Sequence, residues 1–244
     1  MRTIAIAAAG IAILGGIVFL LSAETRPLRI SIPSPTSGAA VLASPHVAGD
    51  EKMSLERIKL SVVYFVPRDR QELIKKDWAD VIKKPLEEMR AFHRLQFHGR
   101  SELVYTVLPD PVIGEKNAAV YDGTDTNRGN PHAWTMIRDE LNGRLGEIRD
   151  DDVGGGSFVV RLVLYEGVGA LGGERQILVS SGYLKTDYTA SVFSHELGHT
   201  FGLEDAYDYT SGAPQEEDVM GLGRQKPIGQ VYLSEKAKQQ LGIL

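Results

Sequence analysis

The chain has no cysteine among its 244 residues. That excludes disulfides and thiol catalysis, so stability must come from the core and from bound ions. It has no run of basic residues, and its formal net charge is −5, which argues against nucleic acid as a partner and otherwise indicates solubility. No internal repeat is evident. Glycines cluster at Gly154-Gly155-Gly156 and from Gly167 to Gly173. Neither cluster has the lysine and helix start of a phosphate-binding loop, so both read as ordinary loops.

One long apolar run stands out. Ile4 to Leu21 is 18 consecutive apolar or glycine residues, preceded only by Met1, Arg2 and Thr3. Its length lies between that of a secretory signal core and that of a spanning helix. Leu21-Ser22-Ala23 fits a cleavage site poorly, because leucine stands where a small residue is expected. Residues 1–23 therefore read as a transmembrane anchor, with a removed signal sequence as the alternative. Either way the remainder is exported, to the extracytoplasmic face of a membrane or into the medium. Residues 24–53 hold Pro27, Pro33, Pro35 and Pro45 among serines, alanines and glycines, and read as a flexible linker. Residues 54–244 are enough for one domain with a good core.

Within that domain the informative segment is His195-Glu196-Leu197-Gly198-His199-Thr200-Phe201-Gly202-Leu203-Glu204-Asp205. Residues i and i+4 share a helix face, so His195 and His199 can reach one metal ion. Glu196 projects about 100° away and can touch a water without occupying a coordination position. Gly202 can adopt the left-handed conformation, end the helix and turn the chain back. Asp205 is then placed as a third ligand. Asp187 can cap the helix, and Ala190, Phe193, Leu197 and Phe201 form its core stripe. His195 and His199 lie opposite that stripe, with Tyr188 and Val192. Gly198, lacking a side chain, would let another segment pass close to the helix. The pattern suits a catalytic Zn²⁺ site for peptide hydrolysis.

Asp218-Val219-Met220-Gly221 follows. With the motif extended to Asp205, a lone methionine in a tight turn resembles the metzincin clan of zinc metallopeptidases. Among these, the aspartate third ligand is similar to the snapalysin type. The resemblance implies that Met220 underlies the metal as a Met-turn. It also implies that the strand before the zinc helix, here Gln176–Tyr183, is an exposed edge to which substrate pairs. In that clan a tyrosine often follows the methionine turn, whereas here Gly221 and Leu222 do. Glu204, Asp208, Glu216, Glu217 and Asp218 are rival acids for the metal. A gluzincin-type peptidase would use Glu216 or Glu217.

The expected fold class is α+β (α/β), a metzincin-like mixed sheet with an active-site zinc helix. Strands are expected at Ile58–Val66, Glu102–Leu108, Phe158–Tyr165 and Gln176–Tyr183. Helical spacing runs from Leu73 to Met89, with Pro85 as a kink or new start. Asn130-Pro131 opens another helix, and Leu233–Leu241 closes the domain. Asp122, Asp125 and Asn127, and residues 150–152, fit no known calcium spacing and read as solvated loops, although Ca²⁺ stays open as a second ion. His46, His93, His98 and His132 read as surface or packing residues. The expected activity is a zinc-dependent endopeptidase. In that reading His195, His199 and Asp205 hold the metal, and Glu196 is general base and then acid. A zinc-dependent peptide-binding module that cleaves little is the alternative.

Overall fold

The computed structural model describes residues 43–123, 126–149, 156–206 and 216–244. The apolar run from Ile4 to Leu21 and residues 24–42 of the expected linker lie outside them. So do Asp125, the Asn127 side chain, residues 150–155 and Asp208. Among the described residues no helix is long and apolar enough to cross a membrane.

In chain order the elements are β1 (His46–Val47), β2 (Asp50–Ser54), β3 (Arg57–Val66), α1 (Trp78–Val81) and α2 (Lys83–Gln96). Next come β4 (Glu102–Val107), β5 (Val112–Ile113), α3 (Ala118–Asp122), α4 (Pro131–Leu145) and β6 (Phe158–Tyr165). The last are β7 (Ala170–Gly173), β8 (Gln176–Ser180), α5 (Thr189–Thr200) and α6 (Glu235–Gln240). The main sheet runs β4-β3-β6-β8-β7, with β5 beside the end of β3. All its pairings are parallel except β7 with β8. It is a mixed sheet between helices, as expected.

The strands in the middle of the sheet are apolar on both faces because both faces are covered. Ile58, Leu60, Val62 and Tyr64 of β3 pack with Val160, Leu162 and Leu164 of β6 toward α2 and α5. Val63, Phe65, Val163 and Tyr165 point the other way, against Tyr121 of α3 and Trp134, Ile137 and Leu141 of α4. Asn130 caps α4 as expected, accepting from the Ala133 N–H at 3.1 Å. Pro85 lies in the first turn of α2, where its missing N–H costs nothing.

Three expectations need correction. Residues 46–53 are not linker. β1 and β2 form an antiparallel hairpin, and the His46 and Ala48 N–H groups donate to Leu241 O and Phe201 O. Long-range main-chain bonds fix this segment where its local pattern has no apolar period. Residues 170–173 of the glycine-rich stretch are not loop but the strand β7. Consequently Gln176–Ser180 is not an edge, because β6 and β7 flank it on both sides. The edge is β7. The chain beyond Ser180 turns into a 3-10 turn, Ser181–Lys185, rather than continuing the strand.

Candidate metal centre

Helix α5 carries the motif with its core stripe as expected. Ala190, Phe193, Leu197 and Phe201 are all buried. Asp187 does not cap it. Tyr188 holds the N-cap position, and the hydroxyl of Thr189 donates back to Tyr183 O at 2.6 Å, tying the helix start to the preceding turn. The C-terminus ends as the sequence predicts. Gly202 has φ +81°, its N–H donates to His199 O, and the Leu203 N–H donates to Gly198 O. These two bonds form a Schellman termination, which satisfies the last carbonyls and reverses the chain.

That reversal brings the acid to the imidazoles. His195 Nε2 and His199 Nε2 are 3.1 Å apart. Asp205 Oδ1 lies 3.3 Å from the first and 3.4 Å from the second. Donors placed tetrahedrally at about 2.0–2.1 Å from a zinc ion would be separated by about 3.3 Å. The three atoms fit that triangle. Each histidine is also oriented from behind. His195 Nδ1 bonds to Val219 O at 2.9 Å, and His199 Nδ1 to Leu203 O at 2.9 Å. A carbonyl only accepts, so both Nδ1 atoms carry hydrogen and both Nε2 lone pairs face the triangle.

The charges agree with a cation site. Burial, then the neighbouring His199, holds the His195 imidazole down to about 4. Burial alone would also depress His199, but the hydrogen bonds to Asp205 and Leu203 and the charges of Glu196 and Asp205 outweigh it and raise it. Asp205 is half-exposed. Burial opposes its ionisation, yet the hydrogen bond and charge of His199 hold its carboxyl below the usual range. Glu196 is buried. Burial pushes its carboxyl up to about 7, against the opposing pull of His199, Arg224 and the Gly172 N–H.

Glu196 also falls in a group with His195 and His199 whose ligand atoms lie within 4.8 Å, so two acids compete as third donor. The separations of Asp205 match a tetrahedral edge. Glu204, Glu216 and Glu217 are exposed, and none of the three lines the cleft.

Met220 is buried below the helix. A Cβ added to Gly198 would stand 2.4 Å from Met220 Sδ, so the absent side chain is what admits the thioether. Asp218 shapes the turn, accepting from Gly221 N–H at its carbonyl (2.8 Å) and from Met220 N–H at Oδ1 (2.9 Å). Asp218 is fully buried, and its Oδ1 is committed to this turn.

The cleft has a volume of about 710 Å³ and runs between α5 and β7. Thr126, Arg128, Val168, Leu171, Tyr183, Tyr188 and Arg224 line it beside the three donors and Glu196. The sequence reading missed Arg224, Tyr183 and β7. For β7 a signal existed, since glycine within a strand marks close approach of another backbone. A Cβ on Gly172 would stand 2.0 Å from Glu196 O. For Arg224 there was none. Burial, then Tyr188 and Glu196, pushes the Tyr183 phenol up, so it stays a donor at neutral pH.

The remaining histidines lie away from the cleft, as expected. His93 is buried against Ser101 Oγ at 2.7 Å and stacked on Phe97. His132 bonds to Val120 O, and His46 to Val47 O. Asp122, weighed for calcium, accepts from Tyr165 OH, the Val168 N–H and Arg70. It thus anchors the loop that leads into β7.

No protein-family model and no curated protein matches the sequence. Among the solved structures that are similar in part are three peptidases. Catalytically inactive OgpA from Akkermansia muciniphila, in complex with an O-glycopeptide, aligns with TM-score 0.48 and 14% identity over 80% of this chain and 63% of its own. A zinc-dependent peptidase from Methanocorpusculum labreanum gives 0.40 and 14% over 74% of this chain and 99% of its own. Metalloproteinase-II from Bacteroides fragilis gives 0.41 and 15% over 86% and 57%. The chain thus spans less than two thirds of OgpA and of the B. fragilis protein. At these identities and TM-scores, the likenesses assign neither family nor activity.

Proposed function

We propose that the protein is a zinc-dependent endopeptidase. The observation that carries this reading is the triangle of His195 Nε2, His199 Nε2 and Asp205 Oδ1, spaced 3.1, 3.3 and 3.4 Å, with the buried Glu196 carboxylate beside it. His195, His199 and Asp205 hold the metal. The zinc ion, when bound, supplies the Lewis acidity that activates a peptide carbonyl toward water. Glu196 takes a proton from the attacking water and later hands it to the leaving amine. A carboxyl titrating near neutrality suits both transfers. Met220 supports the site from below without donating to it, as in the metzincin Met-turn. The edge of β7, which pairs with no strand but β8 among the described residues, supports an extended substrate added as a further strand. The apolar run Ile4–Leu21 supports an exported domain, anchored to a membrane or released after cleavage.

Two variants test the assignment. Glu196→Ala should bind zinc at wild-type stoichiometry while cleavage of unfolded casein falls by orders of magnitude. Wild-type cleavage by this variant would disprove the mechanism. Full zinc and peptide binding without hydrolysis in the wild type would instead indicate a binding module. Asp205→Ala should lose most of its zinc on dialysis, whereas Glu216→Ala and Glu217→Ala should keep it. Zinc loss in either glutamate variant would move the ligand set away from Asp205.

A further inference from the structure

Arg224 brings a permanent positive charge to the ligand triangle. Its Nη1 lies 3.5 Å from His195 Nε2 and 3.9 Å from Asp205 Oδ1, and its side chain is partly exposed to the cleft. The 3-10 turn that carries it, Leu222–Gln225, is clamped at both ends. Gly223 N–H donates to Asp218 O at 3.0 Å, and a Cβ at Gly223 would stand 2.5 Å from the same oxygen. Lys226 N–H donates to Gly223 O, and the Ser191 hydroxyl of α5 donates to Lys226 O at 2.6 Å. The arginine is therefore based on the methionine turn and on the zinc helix together.

A guanidinium beside a divalent cation is unfavourable, because like charges a few ångströms apart repel strongly where water is scarce. Asp205 and Glu196 are the two acids at the cluster. With zinc bound and both ionised, the centre with Arg224 carries one net positive charge. As Glu196 takes the water proton its negative charge passes to the substrate carbonyl oxygen, where a guanidinium can receive it. The position is also too close to the reacting centre to suit a neighbouring substrate residue, since successive Cα atoms are about 3.8 Å apart.

We propose that Arg224 is a catalytic residue that donates a hydrogen bond to the scissile carbonyl oxygen as that oxygen becomes an oxyanion. The inference rests on the peptidase reading. Water oxygen bonds to the carbonyl carbon, the C=O π pair moves onto oxygen, and Glu196 takes the water proton. Arg224 donates its N–H to the new anion and keeps its proton. On collapse the C=O bond re-forms, the C–N bond breaks, and the amine leaves with the proton from Glu196.

The test uses the full chain as wild type, Arg224→Lys and Arg224→Ala. An amidated internally quenched peptide gives kcat and KM. Calorimetry gives the affinity for a phosphinic peptide that mimics the tetrahedral geometry, and chelator competition gives zinc affinity. Arg224→Ala should lower kcat roughly 10²–10³-fold and weaken the phosphinic peptide by a similar factor. KM should stay within about threefold. Zinc should bind more tightly, because a repelling charge is gone, and Arg224→Lys should fall between the two. If the wild type cleaves but kcat and phosphinic affinity do not fall together in Arg224→Ala, the proposal is overturned and the peptidase reading stands. Zinc bound more weakly by Arg224→Ala, or a KM effect confined to peptides with a free C-terminal carboxylate, also overturns it. A wild type that neither cleaves nor binds the phosphinic peptide removes the peptidase reading, and the inference with it.

Discussion

Helix α5 is approached closely by two other elements, and in each case a glycine permits the approach. On one side the glycine belongs to the neighbour. Gly172 of β7 faces the α5 backbone, where a Cβ would stand 2.0 Å from Glu196 O and 2.9 Å from Glu196 Cα. On the other side the glycine belongs to the helix. A Cβ on Gly198 would stand 2.4 Å from Met220 Sδ and 3.0 Å from Met220 Cε. The first contact is backbone against backbone and has no soft component. The second is backbone against a thioether with several rotatable bonds. Both set the geometry of the cleft, but only the second can adjust. The strand side therefore fixes one wall of the cleft, while the methionine side fills space beneath the helix.

The largest effect should come from breaking the rigid contact. Gly172→Ala forces β7 away from the helix, and it also disturbs the N–H that donates to the Glu196 carboxylate. Overpacking of this kind costs about 3 kcal/mol or more when the backbone has to move. Activity should fall further than stability, since the strand carries the cleft edge and the partner of Glu196. Urea denaturation beside a casein assay measures both. Wild-type stability and cleavage would mean that β7 does not press on α5 as described.

That contrast also explains what was legible in the sequence. Strands β3 and β6 were readable because parallel strands covered on both faces become continuous apolar runs. Phe158–Tyr165 is apolar but for Arg161 and forms the strand over that span. The juxtaposition of His195 and His199 was readable because one helical turn separates them, and Gly202 marked the reversal that brings Asp205 beside them. Strand β7 was not. Ala170-Leu171-Gly172-Gly173 has no β-branched residue and no alternation. Gly172 answers to the α5 backbone, and Ala170 O to Gly129, where a Cβ would stand 2.3 Å from it. The hairpin at His46–Ser54 was hidden for a related reason, since bonds to Phe201 and Leu241 place it. Arg224 reaches the site only because residues 218–226 fold back under α5. Local pattern reports local constraint, and these three features are fixed by partners far along the chain.

The smallest expected effect is a coupling energy across the adaptable contact. Gly198→Ala alone places a methyl against Met220, and a flexible side chain can swing aside at a cost of about 1–2 kcal/mol. Met220→Ala alone leaves a cavity under the helix and costs about 2–3 kcal/mol. In the double variant the new methyl of residue 198 enters the space vacated by the thioether. The clash disappears and part of the cavity is filled, so the two costs should not add. A coupling of about 1 kcal/mol in favour of the double variant is expected, within the range for directly touching residues. The cycle is best measured by urea denaturation with zinc chelated, so that packing alone is read. Strict additivity would place Met220 away from Gly198 and remove the methionine from beneath the metal. The same comparison cannot be run on Gly172. Its opposing atoms are main chain, and no substitution elsewhere can vacate them.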